Sequence, residues 1–230
     1  MDHANFPTCH SHPASFDSGS TPEAMVKREV ELGTGAVTMT DHGTLAAARL
    51  IYRLAKKKKL RPILGLEAYF RDDDCPILAA NGIMKQPESQ KPDARLTVAH
   101  YAKYHHLTMH ALDQAGYEAM VRVLSAANEH PERHGIETKP IFTWKDLEDL
   151  GSHNITFGSG CLVGMVQRHL LNDQPKLALA YYERLRSIVK PGNFYVEVFP
   201  HDCSRNWVKA VFLRFRPTAG GIIEDERKYH

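Results

Sequence analysis

The chain of 230 residues reads as an α/β protein, a distorted (βα)7 TIM-like barrel with a metal site at the C-terminal ends of its strands. Three observations lead to that expectation. Short β-rich runs alternate with helical patterns, the mark of parallel βαβ units. About seven such units can be counted, which suits a closed or distorted barrel better than an open sheet. Residues of metal-ligand type follow the apolar runs of several different units, whereas an open doubly wound sheet would gather its site at one switch point.

Residues 6–9 predict a short first strand. Thr21-Pro22-Glu23 predicts a helix start, with Thr21 as N-cap and Pro22 at the first helical position. Met25, Val26, Val30 and Leu32 supply that helix's apolar face, and Gly33 ends it. Residues 36–40 predict a buried strand running into Asp41-His42-Gly43. A helical pattern at 45–59 precedes a strand at 61–66, which leads to Glu67. Between 71 and 96 the pattern fades into Asp, Pro, Gly, Lys and Gln, an excursion over the surface. Strands are expected again at 106–109, 155–158 and 194–199, with a weak one at 221–223. Helices are expected at 117–127, 143–150, 175–189 and around 206–215. No internal repeat is visible.

Composition bounds the function classes. Hydrophobic residues make up 43% of the chain, enough for a substantial core, and the length allows one α/β barrel or two small domains. Lys and Arg number 29 against 27 Asp and Glu, a net charge of +2 that neither supports nor excludes a nucleic-acid substrate. Cys9, Cys75, Cys161 and Cys203 are scattered with no C-x-x-C pair. That argues against a zinc ribbon or a disulfide framework and suits a reducing compartment. With no signal-peptide pattern and no apolar stretch near the ~20 residues a bilayer needs, a cytoplasmic protein without membrane contact is expected. Walker loops, nucleophile elbows and Gly-rich dinucleotide turns are missing too. The lysines at 56–59 read as a solvated helix end, where cations suit the macrodipole. Asp72-Asp73-Asp74 reads as a polar loop.

The candidate site is a constellation. His10 and His12 are two apart on an extended segment, so both side chains point the same way and can chelate one metal. In Asp41-His42-Gly43, Gly43 lets the backbone turn sharply, His42 can ligate, and Asp41 can ligate or orient a neighbour. A carboxylate at Glu67, just past an apolar run, would be buried, which is costly unless a cation pairs with it. Bridging two metals would supply that cation. His106 and Cys161 complete the set. Taken singly these are surface imidazoles, an Asp-capped loop and a small buried thiol. Jointly they point to a multinuclear metal centre for phosphoester chemistry. Mixed imidazole, carboxylate and thiolate ligands favour Zn, Mn or Fe over Mg or Ca.

The segments His10-x-His12, Ser20-Thr21-Pro22-Glu23, Thr40-Asp41-His42-Gly43 and Gly65-x-Glu67-Ala68-Tyr69 resemble the PHP (polymerase and histidinol phosphatase) domain. They are most similar to the version at the N-terminus of bacterial and phage DNA polymerase III alpha subunits. The likeness continues through His106-Leu107-Thr108, Gly116-Tyr117, Leu124-Ser125-Ala126-Ala127, Lys139-Pro140-Ile141, Ser159-Gly160-Cys161-Leu162 and Phe194-Tyr195-x-Glu197. The resemblance implies one PHP domain over residues 1–230, a distorted (βα)7 barrel and two or three divalent metals. Phosphoesterase activity is implied as well, in some polymerase members a 3′–5′ exonuclease used in proofreading. Carried over by motif, the metal ligands would be His10, His12, Asp17, His42, Glu67, His106, Cys161 and Asp225. The catalytic residues would be His12, Asp17, His42 and Glu67. The family's closing Asp-x-His is altered here: Asp225 stands for the aspartate, but Arg227 takes the histidine's place, and 216–230 is atypical. No palm, fingers or thumb is expected within the chain, so templated synthesis is not.

Three functions follow. The first is a phosphodiesterase on single-stranded DNA 3′ ends, working with other replicase subunits or a separately encoded polymerase portion. A phosphomonoesterase of the histidinol-phosphatase kind is the second, and Cys161 in the Ser-Gly-Cys segment tips against it. The third is a metal-stabilised scaffold without turnover.

Overall fold

The computed structural model of the chain describes residues 10–14, 18–72, 104–134, 137–171 and 174–197, with the backbone alone at 132–134, 137, 216–218 and 221–223. Strand 6–9, the helix near 206–215, Asp17, Asp225 and all of the 71–96 excursion beyond Asp72 lie outside the described residues.

Helix α1 (Pro22–Leu32) begins and ends where its sequence signals stand. The Thr21 hydroxyl accepts from the Ala24 amide, Pro22 opens the first turn, and Gly33 closes the helix with φ 67°. Strand β1 (Ala36–His42) follows, then α2 (Ala48–Lys57), β2 (Arg61–Phe70), β3 (His105–Ala111) and α3 (Gln114–Glu129). Short strands β4 (Glu132–His134), β5 (Glu137–Lys139) and β6 (Ile141–Phe142) lead to α4 (Trp144–Ser152), which a Thr143–Asp146 capping box starts. Strand β7 (Ile155–Gly158), helices α5 (Met165–Leu171) and α6 (Pro175–Ile188), and strand β8 (Phe194–Tyr195) complete the main body. Strands β9 (Arg216–Thr218) and β10 (Gly221–Ile223) form a separate antiparallel pair.

The α/β class expected from the sequence holds, with one correction to its parallel order. The central sheet runs β1-β2-β3-β7-β8, with β6 also paired to β2. Pairing is parallel for β1–β2, β2–β6 and β7–β8, but β3 is antiparallel to both β2 and β7. Five strands therefore share one direction and β3 is inverted among them. Among the described residues no pairing closes this sheet into a ring.

The strands alternate strictly, and this alternation positions the site. Val37 and Met39 of β1, Leu66, Ala68 and Phe70 of β2, Leu107 and Met109 of β3, and Ile155 and Phe157 of β7 are buried in the apolar cores. The larger core lies under α3–α6, and a smaller one joins α1, α2 and β1. The residues between them point to the opposite face by strand periodicity: Thr38, Thr40 and His42; Ile63, Gly65, Glu67 and Tyr69; His106, Thr108 and His110; Thr156 and Gly158. That face is unusually polar for a sheet interior. Gly65 belongs there because a Cβ would meet the carbonyl of Met39 2.8 Å away and the His110 ring at 2.9 Å.

Candidate metal centre

Strand register assembles the centre. His42, the last residue of β1, lies opposite Glu67 in the parallel ladder. Glu67 in turn lies opposite Thr108, and Tyr69 opposite His106, in the antiparallel one. His106 thus sits diagonally beside Glu67 on the same face. The segment 10–12 runs along β1: Ser11 accepts from the Thr40 amide at 2.7 Å and donates through its hydroxyl to the Thr38 carbonyl at 2.6 Å. Ser11 is pinned, so the flanking His10 and His12 turn together toward Glu67. Gly43 is required by two constraints. Its φ is 60°, and a Cβ would stand 2.7 Å from the Tyr69 ring.

Glu67 is the hub, fully buried. Its Oε2 lies 2.7 Å from His10 Nε2, 2.6 Å from His12 Nε2 and 3.2 Å from His42 Nδ1. Its Oε1 lies 2.8 Å from His106 Nδ1. The two facing nitrogens of His10 and His12 are only 3.0 Å apart. Hydrogen bonds can satisfy this crowd only if several buried imidazoles carry protons aimed at one carboxylate. Divalent cations satisfy it without that charge being confined to protons. Two groups have the spacing to hold an ion, His10–His12–Glu67 and His42–Glu67–His106, and Glu67 belongs to both. A carboxylate shared between two imidazole pairs is a donor set that could bind a metal ion.

The charges are coupled. Burial disfavours the charged form of His10, but the hydrogen bonds its ring donates to the carboxylates of Glu197 and Glu67 outweigh it and raise its pKa to about 9. Burial likewise opposes ionisation of Glu67, yet the imidazoles of His10, His106 and His12 hold its pKa far below the ordinary carboxylate range. The Cys161 thiol is pushed up to about 11, chiefly by burial. Without a cation it is a thiol and not a thiolate.

The sequence-expected residues are placed unevenly. His10, His12, His42, Glu67 and His106 converge. Asp41 is fully buried at the end of β1, its Oδ1 accepting from the Ala14 amide at 2.8 Å, an orienting contact for the His12 segment. Cys161 lies 3.8 Å from His106 Nδ1 and accepts from the Val163 amide, but falls within neither three-residue group. His106 is not at a strand exit as expected. It stands near the start of β3, and reaches the centre because β3 is inverted. Glu67 is likewise inside its strand, which runs on to Phe70.

Glu197 is the residue that sequence reasoning left out of the site. Its Oε2 takes His10 Nδ1 at 2.8 Å, and its Oε1 accepts from the Gly160 amide at 2.8 Å and from the Thr108 hydroxyl. It therefore fixes the ring of His10 from behind, as a carboxylate behind a ligating imidazole does. Its signal was a lone acid in Phe194-Tyr195-Val196-Glu197, hidden by assigning 194–199 wholly to a strand. A second unforeseen group flanks the centre: Lys139 Nζ lies 3.1 Å from the Tyr69 hydroxyl and 4.2 Å from its ring centroid, while Tyr69 stacks on His42 at 5.9 Å.

Comparison with known proteins places these residues in a family. The DNA polymerase III subunit alpha of Mycobacterium tuberculosis is 31% identical over 194 residues, 84% of this chain and 16% of that protein. Its Mycobacterium leprae counterpart is 30% identical over 210 residues, 89% of this chain and 17% of that protein. The chain thus spans about a sixth of the length of these curated relatives. A solved structure from Bifidobacterium adolescentis, described as a candidate metal-dependent phosphoesterase, matches 54% of this chain and 32% of its own. Its identity of 18% and TM-score of 0.33 settle neither fold nor chemistry. The family model for the PHP domain matches residues 8–201, a span that takes in the histidines, Glu67, Cys161 and Glu197, and the chain belongs to the PHP domain family.

Proposed function

We propose that this chain is a metal-dependent phosphoesterase acting on the 3′ ends of single-stranded DNA, a 3′–5′ exonuclease of the kind that serves proofreading beside a replicase. One observation carries the reading: Glu67 is shared by two imidazole groups at ligating distance, a donor set for paired divalent cations. When bound, such cations supply Lewis acidity and an activated water for in-line displacement at phosphorus.

The chain's own residues divide the remaining work. Glu67 and the four imidazoles would hold the cations, and by family motif His12, Asp17, His42 and Glu67 are the residues assigned to catalysis. Glu197 and Asp41 keep His10 and the His12 segment in place. Lys139, held against Tyr69, neutralises a phosphate oxygen. Asp225 and Cys161 serve as further ligands. Residues 1–230 are read as a single PHP domain of the distorted (βα)7 barrel type, supported by the family match over residues 8–201. The relatives' name, DNA polymerase III subunit alpha, supports a DNA substrate and a replicase partner, in a cytoplasmic setting. No helix among the described residues is long and apolar enough to cross a membrane.

The test pairs metal analysis of the purified chain with a 3′-labelled single-stranded oligonucleotide in Mn and in Zn. Two or more equivalents of metal with stepwise release of labelled nucleotide is expected, and His12→Ala or His42→Ala abolishes it. Hydrolysis of an aryl phosphate without action on DNA would replace this reading by a phosphomonoesterase. Retained metal with no turnover on either substrate would replace it by a scaffold.

A further inference from the structure

A second surface lies at the other end of the sheet. Between Thr44 and Leu66 the chain carries seven cations, Arg49, Arg53, the lysines at 56–59 and Arg61, and no acid at all. All seven are exposed, and among the described residues none makes an ion pair. Arg49, Arg53, Lys56 and Lys57 are spaced by three or four along α2, so they form one stripe. Tyr52 belongs to the same stripe, 47% exposed, with Lys56 Nζ 5.5 Å from its ring centroid.

The helix dipole accounts for only part of this. Lys56 and Lys57 occupy the last turn of α2, where cations are favourable, but Arg49 stands in its first turn, where they are not. Lys59 adds a second anomaly. It holds the left-handed conformation at φ 59°, a position that glycine takes without strain, so local backbone preference does not explain a lysine there. A groove of about 330 Å³ opens beside the stripe, lined by Arg49, Tyr52, Pro62, Leu64 and Tyr117. Its acid, Asp113, already accepts from the Gly116 amide at 2.8 Å and from Asn154 at 3.0 Å as the cap of α3.

We propose that the α2 stripe and this groove form a binding surface for single-stranded nucleic acid, separate from the metal centre. Cations in a row follow a phosphate backbone, and Tyr52 with the groove receives an unstacked base. An anionic membrane fits less well, because the apolar side of α2 (Ala48, Ile51, Ala55) is already buried against the sheet and nothing remains to insert. Arg61 and Glu67 are six residues apart on β2, roughly 20 Å at strand rise, so one strand of modest length can span both surfaces.

The experiment uses the full chain and a fluorescent thymidine oligonucleotide of about 16 nucleotides, with affinity measured by anisotropy across a salt series. Replacing the lysines at 56–59 by glutamine should weaken binding roughly tenfold or more. It should also flatten the salt dependence by about 0.7 log–log unit for each phosphate that is no longer neutralised. Tyr52→Ala should weaken binding roughly tenfold with the salt slope unchanged. Circular dichroism melts matching the parent confirm that both variants fold. Binding that responds to Glu67→Gln but not to these variants would overturn the proposal, as would binding to phosphatidylserine vesicles with none to the oligonucleotide. A chain that binds the strand through α2 yet releases no nucleotide refutes only the exonuclease reading.

Discussion

The two ends of one sheet are built on opposite principles. At the exit end of β1 and β2, polar groups are buried and each is held by another: Glu67 by four imidazoles, His10 by Glu197, Glu197 by Thr108 and Gly160. At the start end, the cations around α2 are exposed and make no ion pair among the described residues. The contrast teaches where electrostatics bear on the fold. Buried charge must be matched and is therefore coupled to stability, whereas exposed charge is nearly neutral to stability and free to serve binding.

The largest expected effect comes from breaking the hub. Because Glu67 belongs to both ligand groups, Glu67→Gln should abolish both, lowering metal affinity by at least about a hundredfold. The rise in melting temperature on metal addition should vanish with it. His12→Ala and His106→Ala each touch one group and should each remove one equivalent of metal by elemental analysis. Equal losses from all three variants would show that the two groups are not separate.

Next in size is the pH dependence of the metal-free protein. The folded pKa of His10 is raised to about 9, so its contribution is complete below its unfolded value near 6.5 and is lost as pH rises through 9. Glu67 and Glu197 are lowered, so theirs is complete above the ordinary carboxylate range and is lost on acidification. Metal-free protein in chelator should therefore be most stable between about pH 5 and 6.5, and should lose on the order of 5 °C in melting temperature by pH 9. Metal binding has to displace the His10 proton, so its affinity should move the opposite way, rising with pH. Chelated protein whose melting temperature is flat from pH 6 to 9 would contradict the coupling.

A smaller effect tests the buttress behind His10. A Cβ on Gly158 would collide with the carboxylate of Glu197 and the hydroxyl of Thr108. Gly158→Ala should cost about 1–3 kcal/mol by denaturant melt and weaken metal binding through His10, although Gly158 touches no proposed ligand other than through Glu197. Thr108→Val, which removes a hydroxyl but adds no bulk at Gly158, should weaken metal binding less.

How far these regions could be read beforehand follows from what each encodes locally. The caps of α1, the bounds of β7 and the His-x-His spacing are local signals, and they stand where the sequence put them. Strand direction is not local. A period-2 pattern reads the same both ways, so nothing in His106-Leu107-Thr108 announced that β3 is inverted. Glu67 was placed past the end of β2 because the apolar run stops at Leu66. The continuing alternation of Glu67, Ala68, Tyr69 and Phe70 was the sign that the strand went on. Helix α5 was missed because Met165–Leu171 is short and nearly all buried, leaving no polar stripe to betray a period. The convergence of five ligand-type residues was legible, and the groove between α2 and α3 was not, since it needs Arg49 and Tyr117, far apart in sequence, brought to one lining.

The smallest effect has the opposite sign and lies at the start end. Lys59 is held at φ 59° while the Leu60 amide reaches back to the Ala55 carbonyl at 2.9 Å, a closing turn that favours glycine. Lys59→Gly removes roughly 1 kcal/mol of left-handed strain and gives back part of it through the freer unfolded chain. A net gain of about 0.5 kcal/mol is expected, read as a melting temperature higher by roughly 1–2 °C. Metal content should not change, because the residue lies a sheet's length from Glu67. Single-strand affinity should fall, because one cation of the stripe is gone. A variant that gains stability and loses strand binding while keeping its metal content separates the two ends of the sheet in a single substitution.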